Sequence, residues 1–537
     1  MLYYCHQNRF NIERKVFMKE IEKMLHLLNL KKRKVCEGGG IEAQERQKRK
    51  KKNTARERIG MLADRGTFYE YDMFIKNRST DFNLQEKDIP AEGIIAGHCF
   101  IDGRPVYLFS QDFTVMGGSL GEAHAAKMCN LMDMAVENGC PIIGINDSGG
   151  ARIQEGMGAL NGYCSIFYKN TMASGIVPQL SIIMGPCAGG AVYSPSLTDF
   201  IFMVKDTSLM FITGPDVIKA VTGETIDSQD LGGCQIHGKI TGVAHFVADN
   251  EEQCLALVSK LLSYLPSNSG EKPPIITTND KADRMEESLR DIVPIESKKP
   301  YDVKKIIKLI SDDQDFLEVH THFARNIVVG FARFNGMPVG IIANQAMHMA
   351  GCLDTNASVK AARFIRFCDT FNFPLLTFAD APGYLPGSGQ EHGGIIRHGA
   401  KLLYAYSEAT VPKITVVLRK DYGGAYSAMC GKALGADYVM AFPTAEIAVM
   451  GPEGAINILY KNELTKDPDF EHTRQEKITE YRKLFANPYK AAEWGLVNEI
   501  IDPSELRPRI ISLLEFLKNK KDTSRVMALK KHGNIPL

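Results

Sequence analysis

The chain has 537 residues, which is enough for two to four domains. Hydrophobic residues make up 44% and charged residues 24%, a balance typical of a globular protein with a sizeable core. The net charge of +1 offers no single-sign field for nucleic acid or an anionic membrane, and no apolar run approaches the roughly 20 residues that cross a bilayer.

The 12 cysteines are scattered without a CxxC pair, which excludes the usual zinc ribbon and a disulfide framework. Cysteines without a pairing pattern favour reduced thiols, which are typical of a reducing compartment. The opening MLYYCHQNRFNIERKVF has no apolar signal core, so secretion is not expected. We therefore predict a cytoplasmic protein, with the mitochondrial matrix as the alternative because the first residues include several basic ones.

A basic run, RQKRKKKNTARER, occupies residues 46–58. It predicts a solvent-exposed helix face, with contact to an anionic ligand as the alternative. No stacking aromatic residues accompany it, so nucleic acid is not a predicted partner. Thr54 and Glu57 have the spacing of a capping box, which predicts a helix that begins at residue 55. Residues 1–60 are accordingly predicted to form a basic helical extension.

The sequence repeats itself at a nearly constant offset. Residues 96–106 align without gaps on residues 329–339, and each copy has an Asp-Gly or Asn-Gly pair of the kind found in hairpin turns. At the same offset of 233, PIIGINDSGG falls on PLLTFADAPG and Lys127 falls on Lys360. Collinear matches of this kind indicate a tandem duplication.

Within each copy, short β-branched apolar runs such as PIIGIN and ITVVL alternate with longer stretches of helical spacing. This alternation predicts an α/β fold with buried parallel strands. The polar stretch at 266–284 predicts a linker, so we expect one domain over 1–272 and a second over 273–537.

A glycine pair follows a buried strand in both copies, within GPCAGGAVYSP and within KDYGGAY. A helix that starts there would present unpaired N–H groups, and glycine would let a ligand approach them closely. The sequence thus predicts two oxyanion holes, at Gly189–Gly190 and at Gly424–Ala425. Tight packing of small residues between strand and helix is the alternative.

Further glycine-rich segments follow other strands, at 116–122, 146–156 and 380–399. None is a Walker A loop or a GxGxxG turn, so nucleotide hydrolysis and nicotinamide chemistry are not indicated. Ser194 and Cys187 have no obvious partner base, and His392 and His398 are interpreted as packing or helix-start residues, with acid–base catalysis as the alternative. Two anion-stabilising sites without a nucleophile suggest enolate chemistry, in which the base belongs to a cofactor.

The sequence resembles one family in five segments: TARERIGMLAD, NDSGGARIQEG, GPCAGGAVYSPSLTDF, DAPGYLPGSGQEHGGIIRHGAKLLYAYSEATVPKITVVLRKDYGGAY and AEIAVMGPEGA. The family is the carboxyltransferase (beta) subunit of biotin-dependent acyl-CoA carboxylases of the propionyl-CoA carboxylase type, and it includes the alpha subunit of methylmalonyl-CoA decarboxylase. The resemblance extends from about residue 18 to the KKHGNIPL tail. It implies an α/β fold with two tandem crotonase-like domains after a helical N-terminal extension, assembled as a homo-hexamer with active sites at dimer interfaces.

The resemblance also implies roles for particular residues. Gly189 and Gly190 would bind the thioester oxygen of an acyl-CoA as it becomes an enolate, and Gly424 and Ala425 would bind the ureido oxygen of biotin. The freed biotin nitrogen would then take the α proton. The implied substrate-binding residues are Gly149, Gly150, Ala151, Arg152, Tyr193 and Ser427. The implied cofactor-binding residues are Gly383, Tyr384, Gly393 and Gly394.

The implied cofactor is biotin, as carboxybiotin on a separate carrier protein, with a coenzyme A thioester as the substrate and no metal in this chain. The sequence has no Met-Lys-Met biotinylation site and no ATP-grasp loop. The implied partners are therefore a biotin carboxyl carrier and a biotin carboxylase subunit, or the membrane subunits of a decarboxylase.

Carboxylation of propionyl-CoA to methylmalonyl-CoA is the leading interpretation, and a sodium-pumping methylmalonyl-CoA decarboxylase is the alternative. Ser427 stands where several relatives of the propionyl type carry aspartate, which leaves the acyl preference open. A crotonase-type hydratase or hydrolase and a non-catalytic scaffold are disfavoured because the duplicated copy keeps its glycine pair.

Overall fold

The structure is a computed structural model that describes residues 2–520 and 532–534. It begins with three helices: α1 (Leu2–Cys36), α2 (Ile41–Arg49) and α3 (Ala55–Leu62). The predicted capping box is present, since the N–H of Glu57 donates to Thr54 Oγ1 at 3.3 Å and the N–H of Thr54 donates to Glu57 Oε2 at 2.8 Å. The helical extension and the helix start at residue 55 are therefore confirmed.

The basic run at 46–58 is not uniformly solvent-exposed. Lys52 is 5% exposed and its Nζ donates to Asp147 Oδ1 at 2.8 Å. Arg58 is fully buried and pairs with Asp147 at 2.9 Å and with Glu251 at 2.6 Å. The prediction of an exposed helix face is wrong for these two residues, because their acidic partners lie about one hundred and two hundred residues away in sequence, where local patterns give no signal.

The first sheet has eight strands. They are β1 (Tyr69–Tyr71), β2 (Ile94–Ile101), β3 (Arg104–Gln111), β4 (Ile142–Ser148), β5 (Gln179–Ala188), β6 (Phe200–Val204), β7 (Leu209–Phe211) and β8 (Phe246–Ala248). Their order is β1-β2-β3-β4-β5-β6-β8, with β7 paired to β5. The first three strands are antiparallel and the others are parallel. The helices around this sheet are α4 (Glu122–Glu137), α5 (Met157–Ala173), α6 (Tyr193–Ser196), α7 (Pro215–Thr222), α8 (Ser228–Gly232), α9 (Cys234–Lys239) and α10 (Glu251–Tyr264).

The second sheet repeats this plan. Its strands are β9 (Phe316–Val319), β10 (Ile327–Phe334), β11 (Met337–Asn344), β12 (Leu375–Ala381), β13 (Lys413–Tyr422), β14 (Tyr438–Ala441), β15 (Glu446–Ala448) and β16 (Glu499–Ile500). Their order is β16-β14-β13-β12-β11-β10-β9, with β15 paired to β13. The accompanying helices are α11 (Leu289–Ile292), α12 (Val303–Ile310), α13 (Thr355–Thr370), α14 (Ser388–His392), α15 (Ile395–Glu408), α16 (Gly424–Ala428), α17 (Pro452–Leu459), α18 (Lys461–Leu464), α19 (Phe470–Leu484), α20 (Pro488–Glu493) and α21 (Leu506–Leu517).

The repeated hairpins have the same turn. Asp102 and Gly103 have φ values of 49° and 75°, and Asn335 and Gly336 have 51° and 78°. Two consecutive left-handed residues define a type I′ turn, whose twist matches that of the flanking strands. The tandem duplication predicted from the sequence is confirmed by these matching sheets and turns.

A buried lysine is also repeated. Lys127 Nζ donates to the carbonyl oxygen of Ile94 at 2.9 Å, and Lys360 Nζ donates to that of Ile327 at 2.7 Å. Donor and acceptor both shift by 233 residues between the copies. The ammonium group thus ties the helix after each hairpin to the first residue of the hairpin.

The two domains meet along a direct seam. Residues 265–288 between them contain no helix or strand, and the predicted boundary at 272 lies within this stretch. The N–H of His320 donates to the carbonyl oxygen of His245 at 2.9 Å, which links the edges of the two sheets. The ring centroids of Phe200 and Phe367 lie 4.6 Å apart, so the apolar core continues across the seam.

Residues 532–534 cross this seam. In the first domain, Asn534 donates from its N–H to Ser174 Oγ at 3.0 Å and from Nδ2 to Asp199 Oδ1 at 2.9 Å. In the second domain, Arg366 Nη2 donates to the carbonyl oxygen of Gly533 at 3.2 Å. Residues 532–534 therefore bind both domains at once.

Candidate active site

Each glycine pair lies where a central strand turns into a helix. Strand β5 ends at Ala188 and is followed by a 3-10 turn at Gly189–Val192 and then by α6, while β13 is followed directly by α16. Gly189 and Gly423 have φ values of 60° and 56°, a left-handed conformation that favours glycine. The equivalent pairs are therefore Gly189–Gly190 and Gly423–Gly424. The N–H of Gly423 donates to the carbonyl oxygen of Ala448 at 3.0 Å, so the candidate donors of the second turn are those of Gly424 and Ala425. The first N–H groups of a helix have no partner within it, which makes both turns candidate donor sites.

The two turns differ in the space above them. A Cβ on Gly424 would meet only the ring of Tyr384, at 3.7 Å, which is ordinary contact. A Cβ on Gly190 would lie 2.8 Å from the ring of Tyr163, which is too close. Gly424 is exposed. An oxygen atom of a ligand can reach the N–H groups at either turn only because no side chain stands there.

The rings beside the turns come from unrelated positions in the two copies. Tyr163 lies on α5 and Tyr384 lies in the loop after β12. Burial raises the pKa of Tyr384 to about 12, and its hydroxyl donates to the carbonyl oxygen of Gly399 at 3.4 Å. The hydroxyl of Tyr163 is buried and has no hydrogen-bond partner among the residues that the structure describes. Both phenols are neutral at physiological pH.

The glycine loop after β4 reaches the first turn. The N–H of Gly149 donates to the carbonyl oxygen of Gly117 at 2.9 Å, and the N–H of Gly150 donates to Ser148 Oγ at 3.1 Å. A Cβ on Gly150 would lie 2.8 Å from the carbonyl oxygen of Ala188, next to Gly189. The structure therefore brings these predicted substrate-binding glycines to the first glycine turn.

The neighbouring predicted residues are arranged differently. The guanidinium group of Arg152 is buried and donates to Glu92 Oε2 and Glu155 Oε1, both at 2.7 Å. It therefore holds the loop, and its charge is already paired. Ala151 and Tyr193 are exposed, the latter at the start of α6. Their contact with a substrate stays a prediction.

Of the predicted cofactor-binding residues, Gly383 and Tyr384 lie beside the second glycine turn. Gly383 accepts from the N–H of Leu353 at 3.1 Å, and the ring of Tyr384 lies over Gly424. Gly393 and Gly394 join α14 to α15 instead. A Cβ on Gly393 or Gly394 would lie closest to residues of α14 or α15, and their contact with biotin stays a prediction.

The candidate nucleophiles and bases are not paired. Ser194 Oγ donates to the amide oxygen of Asn170 at 2.9 Å, and burial raises the pKa of Cys187 to about 12. His392 ends α14, and His398 lies on α15, where partial burial lowers its pKa. Ser427 is half-buried on α16, three residues after Gly424. The described side chains at the two turns therefore include no activated nucleophile.

Sequence analysis missed the buried ion pairs behind the first turn, where Lys52 and Arg58 meet Asp147. A capping box and a basic run mark this segment, but neither signals burial. Among residues 2–520 and 532–534, no group of three or more His, Cys, Asp or Glu side chains could hold a metal ion. Within the same residues, no helix has the length and apolar character needed to cross a membrane.

The chain matches the carboxyl transferase domain family over residues 46–535. It is 55% identical to the methylmalonyl-CoA decarboxylase subunit alpha of Veillonella parvula, over 97% of this chain and 100% of the relative. It is also 55% identical to the propionyl-CoA carboxylase carboxyltransferase subunit of Haloferax mediterranei, over 96% of this chain and 100% of the relative. Among solved structures, transcarboxylase 12S with methylmalonyl-coenzyme A and methylmalonic acid bound is 51% identical, with a TM-score of 0.92 over 96% of this chain and 99% of that chain.

Proposed function

We infer the reaction from the family: this chain belongs to the carboxyl transferase domain proteins and is a carboxyltransferase. We propose that it moves a carboxyl group between carboxybiotin and the α carbon of a short acyl-CoA, with propionyl-CoA and methylmalonyl-CoA as the two acyl forms. The observation that carries this proposal is the pair of glycine turns. One turn serves the acyl thioester and the other serves biotin.

The first turn, Gly189–Gly190, would bind the thioester oxygen. As the α carbon loses a proton or a carboxyl group, negative charge develops on this oxygen, and backbone N–H groups aimed at it stabilise the resulting enolate. The loop with Gly149 and Gly150 lies alongside and would contact the coenzyme A portion. Gly189 and Gly190 are half-buried, and a bound thioester that covers them would strengthen each hydrogen bond to its oxygen.

The second turn, with Gly424 and Ala425, fits the ureido oxygen of biotin. Gly424 is exposed and leaves room above the N–H groups, and the ring of Tyr384 provides an apolar wall beside it. Bound carboxybiotin supplies the carboxyl group and, once this has left, a ureido nitrogen that can hold the α proton. The N–H groups of this chain stabilise the negative charge on the ureido oxygen, which favours release of the carboxyl group.

The chain would act with partners. A transcarboxylase 12S structure that is 51% identical is described as a hexamer assembly with substrate binding to a multienzyme core. We propose a homo-hexamer for this chain too, with each first turn facing a second turn from a neighbouring copy. A biotin carrier and a biotin carboxylase subunit are the proposed partners, and a cytoplasmic location is part of the same proposal.

The reverse direction is the second candidate. The relative from Veillonella parvula, a methylmalonyl-CoA decarboxylase subunit alpha, is as similar to this chain as the propionyl-CoA carboxylase subunit is. In that role the chain would transfer the carboxyl group from methylmalonyl-CoA to biotin, with membrane subunits as partners. The glycine turns would do the same work in both directions.

Purified protein tests the proposal with free biotin and one of three thioesters: malonyl-, methylmalonyl- or glutaconyl-CoA. We expect methylmalonyl-CoA to lose its carboxyl group in a biotin-dependent reaction, followed by the appearance of propionyl-CoA. Preference for another thioester would refute the substrate assignment, and no biotin-dependent loss from any of them would refute the function. Co-purification with a biotin carboxylase or with membrane subunits then separates the two physiological directions.

A further inference from the structure

We infer that Arg58 and Lys52, from the N-terminal extension, are positioning residues that hold the first glycine turn in place through Asp147. The inference rests on the proposed function, because it assigns the extension to the acyl-CoA half of the reaction. It is carried by the contacts between the extension and the end of β4, and by comparison with the second copy.

Asp147 is the centre of the contacts. It is the penultimate residue of β4, directly before the loop that reaches the first glycine turn, and it is fully buried. Its carboxylate accepts from Lys52 Nζ at 2.8 Å, Arg58 Nη1 at 2.9 Å and Gln47 Nε2 at 3.0 Å. All three donors come from residues 41–62, so the strand end is fixed by a segment outside the duplicated unit.

Arg58 links three elements at once. Besides Asp147, its guanidinium donates to the carbonyl oxygen of Met184 on β5 at 2.9 Å and to Glu251 Oε1 on α10 at 2.6 Å. Two cations and two carboxylates thus balance within the buried group. Burial lowers the pKa of Lys52, and Asp147 opposes that shift. Because the guanidinium contacts both β4 and β5, it fixes the positions of the two strand ends relative to each other.

The strand ends meet at the site. The carbonyl oxygen of Asp147 lies so close to Gly118 that a Cβ there would be 2.2 Å away. The next loop places Gly150 against the carbonyl oxygen of Ala188, where a Cβ would be 2.8 Å away. Ala188 precedes Gly189. Because these segments are closely packed, we expect a displacement of Asp147 to displace the backbone of the first turn as well.

In the second copy, the carboxylate at the equivalent strand end has a different cationic partner. Asp380, the counterpart of Asp147, pairs at 3.0 Å with Arg419, which lies on β13 itself. The residue equivalent to Arg419 in the first copy is Gly185. A Cβ on Gly185 would lie 1.9 Å from Asp147 Oδ1 and 2.5 Å from Lys52 Nζ, so the absent side chain makes room for the cations of the extension. The first turn depends on the extension for a contact that the second turn obtains from its own strand.

The experiment compares Arg58→Lys, Lys52→Gln and Arg58→Met with Arg56→Gln in the full-length protein. Arg56 lies on the same helix but pairs with Glu70 instead of Asp147, which makes it a matched control. The measurements are kcat and KM for methylmalonyl-CoA, KM for free biotin, and the unfolding temperature. Arg58→Lys is the conservative variant and retains part of the donor set if Arg58→Met fails to fold.

We expect kcat/KM for methylmalonyl-CoA to fall about tenfold to hundredfold in Arg58→Lys and Lys52→Gln, because small displacements of positioned groups have effects of this size. KM for biotin should stay within about twofold of the wild type, and Arg56→Gln should change neither constant. Arg419→Lys should show the opposite pattern, with the larger change in KM for biotin. Three results would overturn the inference. They are an equal change in the constants for methylmalonyl-CoA and for biotin, a loss of activity no larger than the unfolded fraction of the variant, and no loss of activity.

Failure of the proposed function gives a different result. If the wild type decarboxylates none of the thioesters, the function is refuted, and the positioning inference is then tested by calorimetric titration with methylmalonyl-CoA. Weaker binding in Arg58→Lys and Lys52→Gln than in Arg56→Gln would support it. Equal binding in all variants, or no binding to the wild type, would overturn it.

Discussion

Replacing Gly424 by alanine separates the role of the second glycine turn in folding from its role in chemistry. At this position φ is not left-handed, and the new methyl group would meet only the ring of Tyr384 at 3.7 Å. Nothing in the chain resists the substitution. We propose that the methyl group would instead crowd the ligand oxygen that the N–H groups at the start of α16 would bind.

The two effects have opposite signs. Glycine to alanine at an unstrained position stabilises a protein by about 0.4–1 kcal/mol, because the unfolded chain loses conformational freedom. Loss of one oxyanion-hole donor lowers kcat by about 10²–10³, equivalent to about 3–4 kcal/mol of transition-state stabilisation. Gly424→Ala should therefore unfold at the same or a higher temperature than the wild type. Its kcat should fall by a factor of about 10² or more.

The assay follows biotin-dependent loss of the carboxyl group from methylmalonyl-CoA, together with the unfolding temperature and the affinity for methylmalonyl-CoA. Affinity should be nearly unchanged, since the proposed function assigns the thioester to the first turn. Gly60→Ala provides the control, because a Cβ at Gly60 meets nothing within 4 Å and this helical glycine lies on the exposed side of α3. That variant should gain about 1 kcal/mol of stability and keep its activity.

Full activity in Gly424→Ala would refute the reasoning. It would show that turnover does not require a ligand oxygen to bind these N–H groups in the space that the methyl group takes. A drop in unfolding temperature would contradict the steric part. A loss of affinity for methylmalonyl-CoA as large as the loss of turnover would contradict the division of work between the two turns.

Three further predictions concern packing and pH. Gly190→Ala should cost about 1–3 kcal/mol by forcing a Cβ against the ring of Tyr163, and Tyr163→Leu should recover this in urea unfolding; an unchanged midpoint in the single variant would contradict the geometry. Burial raises the pKa of Asp199 from its ordinary 3.8 to about 6, so its contribution to stability is present below pH 3.8 and is lost as pH rises to 6. Asp199→Asn, which also alters the contact to Asn534, should remove about 3 kcal/mol of that dependence, and equal slopes for both proteins between pH 4 and 7 would argue against it. Burial lowers the pKa of His124 to about 3, so stability is lost as pH falls below 6.5, by about 1.4 kcal/mol per pH unit, and His124→Gln should flatten that decline in the same unfolding series.

The features that the sequence predicted are those encoded over a few residues. The hairpin turns depend on two adjacent residues with positive φ, as at Asp102–Gly103. The capping box depends on two side chains three positions apart. The glycine turns depend on a backbone without side chains after an apolar strand. The duplication repeated the hairpin and glycine signals, so that chance matches could be dismissed.

The features that the sequence did not predict depend on contacts between distant segments. Arg58 is one basic residue among many in its run, and only its approach to Glu251, 193 residues later, makes it a core residue. The tyrosine rings beside the turns also gave no repeat signal. The residue 233 positions after Tyr163 is Ile396, and the residue 233 before Tyr384 is Ala151. After duplication, each copy has packed its turn in its own way.

The contact between Asn534 and Asp199 has a consequence for biosynthesis. A ribosome makes the first domain well before residues 532–534, and domains fold as units during synthesis. Asn534 is added 335 residues after Asp199. The first domain must therefore wait, with the carboxyl group of Asp199 lacking this donor, until Asn534 has been made. A chain that stops before residue 532 would lack these contacts across the seam, and we expect proteases to cleave it there more readily than the longer chain.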